Sequence, residues 1–244
     1  MGKRIIQIKE LSYSYPDGNM ALENINLHVL EGESLGVIGP NGAGKTTLLL
    51  HFNGLLDGSS GKSKIKILNL EINNKNIAEI RKAVGFVFQD PEDQLFMPTV
   101  YEDVSFGPSN LGWDKDTIKK QAQQALDEVG LSDKASLLSH HLSLGEKKRV
   151  SVATVLSMKP DILVLDEPSA NLDPAARGQL IDVLKGLSVT KIIAGHDLEL
   201  ILELCTRIVV LDKGKIVAEG DTREILSDPL LMKQHNLEVP LSLK

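Results

Sequence analysis

The sequence predicts an α/β fold, with one strand-rich core carrying a helical insertion. Three observations lead there. Strand-like apolar runs fill the first forty residues and return after residue 160, while the stretch from about 90 to 158 turns helical. A glycine-rich loop, Gly39 to Thr46, lies between an apolar strand and a helix start. No repeat or low-complexity linker divides the 244 residues into consecutive domains.

Each element has its own signal. IIQIKEL and INLHVL alternate as strands do, and Pro16-Asp17-Gly18-Asn19 between them is turn chemistry. SLGVIG (34–39) is a short buried strand, and a helix is expected over Thr46–Asn53. Residues 62–80 read as a strand pair or as a strand and a short helix, and AVGFVF (83–88) as a buried strand. Asp90-Pro91 and Met97-Pro98-Thr99 then break the chain. Ile118, Ala122, Ala125, Leu126 and Val129 share one helical face, which predicts a helix over Thr117–Val129 ending at Gly130. A second helix is expected over Glu146–Met158, stopped before Pro160. Strands follow at DILVLD, KIIAGHD and RIVVLDKGKIVAEG, and Thr222–His235 reads as a closing helix.

Composition excludes several classes. Lys and Arg total 27 against 33 Asp and Glu, a net charge of −6, so a non-specific nucleic-acid binder is disfavoured and no nucleic-acid partner is expected. The single cysteine, Cys205, permits no internal disulfide and sits in an apolar run, as a small core residue. MGKRIIQIKE has no apolar h-region, and no run reaches the ~18 apolar residues of a membrane span. All nine aromatics lie at or before Trp113, and six fall between Phe86 and Trp113. The core of the second half is therefore aliphatic.

Gly39-Pro40-Asn41-Gly42-Ala43-Gly44-Lys45-Thr46 fits G-x-x-x-x-G-K-[ST] in the strand-then-helix context that motif requires. Successive amides can curl around one anion, Lys45 can reach the β- and γ-phosphates, and the Thr46 hydroxyl can hold Mg²⁺. DILVLDEP delivers Asp166 and Glu167 at a strand end. Adjacent strand residues point to opposite faces, so the two carboxylates need not share a task. Asp166 suits a water-mediated contact to Mg²⁺, and Glu167 suits polarisation of an attacking water. His196 and Gln89 also end apolar strands, where an imidazole can sense a γ-phosphate and an amide can touch the metal or the water.

Residues 142–149 read LSLGEKKR, between the glycine loop and DILVLDEP. With that order of motifs the sequence resembles an ABC-type ATPase subunit over essentially its whole length. The resemblance implies a P-loop NTPase (RecA-like) core with an N-terminal antiparallel β subdomain, over about 1–89 and 159–220. It also implies an inserted α-helical subdomain (90–158) and a C-terminal helical tail (221–244). Gly39–Thr46 becomes the Walker A loop, with Thr47 adjoining, and Gln89 the Q-loop. Ser143, Leu144, Gly145 and Glu146 belong to the signature, Asp166–Glu167 form Walker B with the catalytic glutamate, Asp173 closes the D-loop, and His196 is the switch histidine. Tyr15 becomes the aromatic that stacks on adenine. Catalytic roles fall to Glu167, His196, Gln89 and Lys45, metal contacts to Thr46, Gln89 and Asp166, and the bound species are ATP and Mg²⁺. Leu144 and Glu146 depart from the usual LSGGQ, although Ser143-x-x-Glu146 is itself a capping box.

FVFQDPEDQLFMPTVYEDVSFGPSNLG (86–112) is similar to the segment after the Q-loop in energy-coupling-factor transporters. TTLLLHFNGLL, LSLGEKKRVSVATVLSM and AGHDLELILELC lean toward the cobalt/nickel uptake ATPases of that group, and vitamin importers share much of the wording. The resemblance implies a second ATPase subunit, of the same type in cobalt/nickel systems, whose ATP would face Ser143, Leu144 and Gly145. It also implies separate integral membrane subunits, with this chain peripheral on the cytoplasmic face of a prokaryotic cell membrane. Phe96 to Phe106 are expected to line the groove that receives those subunits. Other readings fit less well. A DNA-repair ABC ATPase carries a long coiled-coil insertion, and a translation type carries tandem domains. A GTP switch needs N-K-x-D, whereas Asn74-Lys75-Asn76-Ile77 lacks the Asp. His140-His141 has no further ligands beside it and is not read as a metal site.

Overall fold

The computed structural model describes residues 2–56 and 63–244. Lys62, where the expected segment 62–80 begins, lies outside the described residues. In chain order the elements are β1 (Arg4–Ser14), β2 (Met20–Leu30), β3 (Ser34–Ile38), α1 (Lys45–Leu50), β4 (Lys64–Ile67), β5 (Leu70–Glu71), α2 (Ile77–Ala83) and β6 (Val84–Val87). Then come α3 (Val100–Asn110), α4 (Lys115–Glu128), α5 (Leu144–Leu156), β7 (Ile162–Asp166), α6 (Pro174–Gly186) and β8 (Thr190–Ala194). The chain closes with α7 (Leu198–Leu204), β9 (Arg207–Asp212), β10 (Lys215–Asp221), α8 (Thr222–Leu226) and α9 (Pro229–Gln234).

Among the described residues the strands form two sheets. The smaller is antiparallel in the order β2-β1-β4-β5. The larger runs β10-β9-β3-β8-β7-β6, parallel except for the β9–β10 hairpin at one edge. Its central strands are apolar on both faces, as parallel strands covered on both sides must be. In β7, Ile162 and Val164 join the core shared with α1 and the smaller sheet, while Leu163 and Leu165 join the core shared with α3 to α9. Both strand-end carboxylates therefore emerge from a fully dry strand.

The helical stretch corrects the sequence expectations in places. Met97-Pro98-Thr99 was expected only as a break, yet Thr99 caps α3 in a full capping box with Glu102. Pro108 sits inside that helix, near its end. α5 starts at Leu144 rather than Glu146, because Ser143 is its N-cap and Glu146 is the third residue of the helix. The single helix expected over Thr222–His235 is two, α8 and α9. Pro229 has no amide to continue α8, and Asp228 caps a new start by accepting from the Leu230 and Leu231 amides. α1 is shorter than expected, giving way to turns after Leu50. Cys205 is buried in the aliphatic core, where burial pushes its thiol up to about 12.

Candidate active site

The glycine loop leaves the end of β3 and enters α1. Two of its glycines are required by space as well as by backbone angle. Gly39 has φ +152°, and a Cβ there would stand 2.0 Å from the Leu211 carbonyl oxygen. Gly44 has φ +102°, and a Cβ would meet the Ala21 carbonyl oxygen at 2.6 Å. The loop is braced from the β9–β10 turn, where the Gly214 amide donates to the Ala43 carbonyl (3.0 Å). Lys45 curls back over the loop. Its Nζ donates to the carbonyls of Gly39 (2.9 Å) and Pro40 (3.3 Å) and lies 3.8 Å from Glu167 Oε1.

Asp166 shares the strand face of Ile162 and Val164, which is the α1 side. Its side chain is buried, and burial raises its pKa above the ordinary carboxylate value. The Glu167 charge adds to that rise, while a hydrogen bond from Thr46 and the Lys45 and Lys148 charges oppose it. Its Oδ1 has no hydrogen-bond partner among the described residues. A buried carboxylate oxygen left open beside a threonine hydroxyl fits a hydrated cation, the environment that Mg²⁺ with a nucleotide requires.

Glu167 leaves the sheet with φ +45°, a conformation a non-glycine residue holds only when its surroundings fix it. Its amide donates to the Ala194 carbonyl at 2.8 Å. Its Oε2 accepts from the His196 amide (3.2 Å) and lies 2.7 Å from His196 Nδ1. The next residue, Asp197, is gripped by Arg177 through Nε (2.6 Å) and Nη2 (2.9 Å), and it also accepts from Ser169 Oγ (2.9 Å) and the Leu200 amide (3.0 Å). The His196 turn is thus tied to α6 and to the segment after Glu167.

These elements surround one pocket of about 530 Å³. Tyr15, Asn41 to Thr47, Gln89, Glu167 and His196 line it, with Asn19, Met20 and Ala21 on the Tyr15 side. Tyr15 is held by a hydrogen bond between its hydroxyl and Thr47 Oγ1 (2.9 Å) and by an edge-on contact with Tyr13. Ser143, Leu144, Gly145, Glu146 and Asp173 do not line the pocket. Ser143 and Glu146 close their capping box, and Leu144 lines a second cleft with Gln89, Asp90 and Asn171. The Asp173 carboxylate caps α6 by accepting from the Ala175 and Ala176 amides. The side chains expected to serve a second subunit's nucleotide therefore stand apart from this chain's own loop.

Sequence reading missed Arg177, Asp197 and Lys148. Asp197 lies beside the quoted His196, and an N-cap signal before LELILEL marks it. Lys148 falls on the buried stripe Gly145, Val152 and Val155 of α5, where a lysine is out of place by spacing alone. Its Nζ donates to the carbonyls of Gln89 (2.5 Å) and Glu167 (3.2 Å). Burial lowers its pKa, and the charges of Asp90, Glu167 and Asp166 pull it back up.

A phosphate-cradling loop, a buried carboxylate open to a cation and a glutamate beside an imidazole define a P-loop nucleoside triphosphatase. Comparison with known proteins narrows that class. The family model "ABC transporter" matches residues 22–170. The energy-coupling factor transporter ATP-binding protein EcfA of Methanothermobacter thermautotrophicus is 46% identical over 97% of this chain and 77% of its own length. EcfA of Carboxydothermus hydrogenoformans is 47% identical over 98% and 88%. Among solved structures, cbiO1 from Clostridium perfringens, described as part of the ABC transporter complex cbiONQ, superposes with a TM-score of 0.84 at 38% identity. That match covers 96% of this chain and 94% of cbiO1. The cassette MJ0796, solved as a dimer bound to ADP and Pi, gives 0.78 at 26% identity over 89% and 98%. The chain belongs to the ABC transporter family, as an ATP-binding, ATP-hydrolysing cassette of the energy-coupling-factor type.

Proposed function

We propose that this cassette powers uptake of cobalt or nickel ions, working as a pair of identical ATPase subunits beneath separate integral membrane subunits, on the cytoplasmic face of the cell membrane. Three things support this reading: the wording of residues 46–56, 142–158 and 194–205, the likeness to cbiO1 over nearly the whole chain, and the MJ0796 dimer. The exposed aromatics Phe96, Tyr101 and Phe106 give the membrane subunits an apolar seat, with Phe96 and Phe106 packed edge to face at 4.8 Å. The same ATPase role in a vitamin importer is the second reading, because vitamin-importing members of the group share much of the same sequence wording.

The observation that carries the catalytic part is the Glu167 carboxylate, set between Lys45 Nζ and His196 Nδ1 at the pocket wall. In this reading the amides of Gly39 to Lys45 and the Lys45 ammonium hold the phosphates. Thr46 and Gln89 hold Mg²⁺, with Asp166 acting through water, and the metal, when bound, neutralises phosphate charge. Tyr15 stacks on adenine. Glu167 orients and deprotonates the attacking water, and His196 contacts the γ-phosphate. Ser143, Leu144, Gly145, Glu146 and Asp173 meet the nucleotide held by the second subunit. By organisation, residues 1–89 and 159–220 form the β subdomain and nucleotide core, 90–158 the helical subdomain and 221–244 the tail.

Glu167→Gln tests the chemistry: it should trap an ATP-bound dimer, visible by size-exclusion chromatography, with little turnover. Wild-type turnover in that variant removes Glu167 from its role. Co-purification with membrane subunits, followed by uptake of radiolabelled Co²⁺ or Ni²⁺, tests the cargo. A vitamin carried instead of metal overturns the narrower reading and leaves the ATPase in place.

A further inference from the structure

The ladder between β6 and β7 ends with Val87 opposite Leu165. Two residues further along each chain segment stand Gln89 and Glu167, past the ends of both strands. Beyond the ladder a side chain takes over its work, as Lys148 Nζ donates to the Gln89 carbonyl at 2.5 Å and to the Glu167 carbonyl at 3.2 Å.

The site is built for this contact. Lys148 is 2% exposed, on the inner stripe of α5. A methionine or leucine would fill that stripe without the cost of desolvating an ammonium. What the ammonium adds is donors for two carbonyls that have left the sheet. At Glu167 the contact bears on a backbone in the left-handed region, which its surroundings must hold in place. Its amide donates to the Ala194 carbonyl, and its carbonyl accepts from the Ala170 amide (3.1 Å) within its own turn and from Lys148 across to α5, so Lys148 is the donor that ties it to the helix. The segment after Gln89 is tied to the same helix. Gln94 donates to the Ser151 carbonyl (2.8 Å) and to Thr154 Oγ1 (2.7 Å), while its own Oε1 accepts from the Phe88 amide (3.1 Å). Lys147 pairs with Glu92. The first turn of that helix holds Leu144, Gly145 and Glu146, behind the Ser143 cap.

We propose that Lys148 is a positioning residue for ATP hydrolysis. It pins the backbone of Gln89 and Glu167 to one point on α5, so that the amide and the carboxylate keep register with each other and with the Ser143–Glu146 end of the helix. This rests on the roles given to Gln89 and Glu167 above.

The test uses the full-length chain. Lys148→Met keeps the stem and deletes the donors. Its kcat should fall by about 10- to 100-fold, the penalty of a reacting group displaced by an ångström or so. The Kd for ATP should stay within about threefold, because no phosphate contact is touched. Its melting temperature should change little, since the relief of a buried ammonium and the loss of its hydrogen bonds to two carbonyls oppose each other. Lys148→Arg returns N–H donors, with the cleft lined by Gln89, Asp90 and Asn171 as room for the larger head group, and should recover most of the lost kcat. Wild-type kcat in the Met variant overturns the proposal. So does a Met variant that fails to fold or loses ATP affinity in step with kcat, and so does an Arg variant no faster than the Met variant. Glu167→Gln is assayed alongside. Turnover surviving there removes the underlying reading of Glu167, whereas a fast Lys148→Met beside an inactive Glu167→Gln overturns the Lys148 proposal alone.

Discussion

His196 Nδ1 lies 2.7 Å from Glu167 Oε2, and the His196 backbone amide donates to the same oxygen at 3.2 Å. The carboxylate is therefore held twice by one residue, once through a ring that is 66% exposed and once through the backbone. With Nδ1 donating to Glu167, the remaining ring nitrogen can donate to a phosphate only when the imidazole is protonated. His196→Ala removes the ring and keeps the backbone grip. Its kcat should drop by about 10²- to 10³-fold, as for loss of one preorganised donor. ATP affinity and melting temperature should barely change, because an exposed ring contributes little to folding. Single-turnover ATP hydrolysis beside equilibrium ATP binding checks both halves. A variant that loses ATP binding in proportion to kcat would place His196 in ground-state binding instead.

Tyr15 makes a different kind of contact. Its hydroxyl is taken up by Thr47 Oγ1, and the residue remains 37% exposed at the pocket edge, free to meet a base. Stacking of a base on an aromatic ring contributes about 1–3 kcal/mol. Tyr15→Ala should weaken ATP by about 5- to 150-fold by that measure, while inorganic triphosphate changes less than about twofold. Tyr15→Phe, which keeps the ring and loses the bond to Thr47, should stay near wild type. Competition titrations with a fluorescent nucleotide distinguish these outcomes, and equal losses for ATP and triphosphate argue against stacking.

The sequence carried the loop, the strand ends and the capped signature helix plainly, because each is a local pattern. DILVLD has apolar side chains for both faces of a covered strand, and Ser143-x-x-Glu146 caps a helix whatever surrounds it. What escaped was tertiary or mixed in period. α3 hides behind Pro98 and contains Gly107 and Pro108, so its periodicity is weak although its cap is complete. α6 begins with Asp173-Pro174, a cap followed by the favoured first helical proline, which is a local signal for its start. Lys148 and Arg177 matter through partners 59 and 20 residues away, a separation no local pattern encodes.

Asp166 is a carboxylate whose burial opposes its own ionisation. Burial holds its folded pKa above the ordinary value, so between those two pKa values the folded chain binds more protons than the unfolded one. The associated stability is complete below the ordinary carboxylate pKa and is lost as pH rises through the raised one. Wherever the side chain is ionised, its burial is a cost that a bound cation would relieve. Asp166→Asn should raise the melting temperature of nucleotide-free protein by about 2–4 °C at neutral pH for each kcal/mol recovered. The gain should shrink as the pH is lowered toward about 4. The same variant should lose the extra stabilisation that Mg²⁺ with ATP gives the wild type. Thermal melts across that pH range, with and without Mg·ATP, read both effects. A variant less stable than wild type in nucleotide-free buffer would show that Asp166 is a structural residue first.

Arg207 joins both sheets through a single guanidinium. It donates to Glu33 Oε1 (2.6 Å) and Oε2 (3.1 Å) and to the His28 carbonyl (2.6 Å), and it pairs with Glu219. Glu33 also accepts from the Leu30 amide at 2.7 Å. Burial alone would raise the Glu33 pKa, but the Arg207 hydrogen bond and charge and the Leu30 amide outweigh it, and the net shift is downward. For a depressed carboxylate the sign is opposite to that of Asp166. The stability is present above the unfolded value of 4.5 and drains away as pH falls through the lower folded value. Glu33→Gln leaves Arg207 without its main partner and should cost about 3 kcal/mol at neutral pH. Because the wild type loses that advantage in acid, the urea midpoints of the two proteins should converge as the pH drops below 4.5. A constant gap between them down to the acid limb would mean that the carboxylate charge contributes nothing and that only its shape and hydrogen bonds matter.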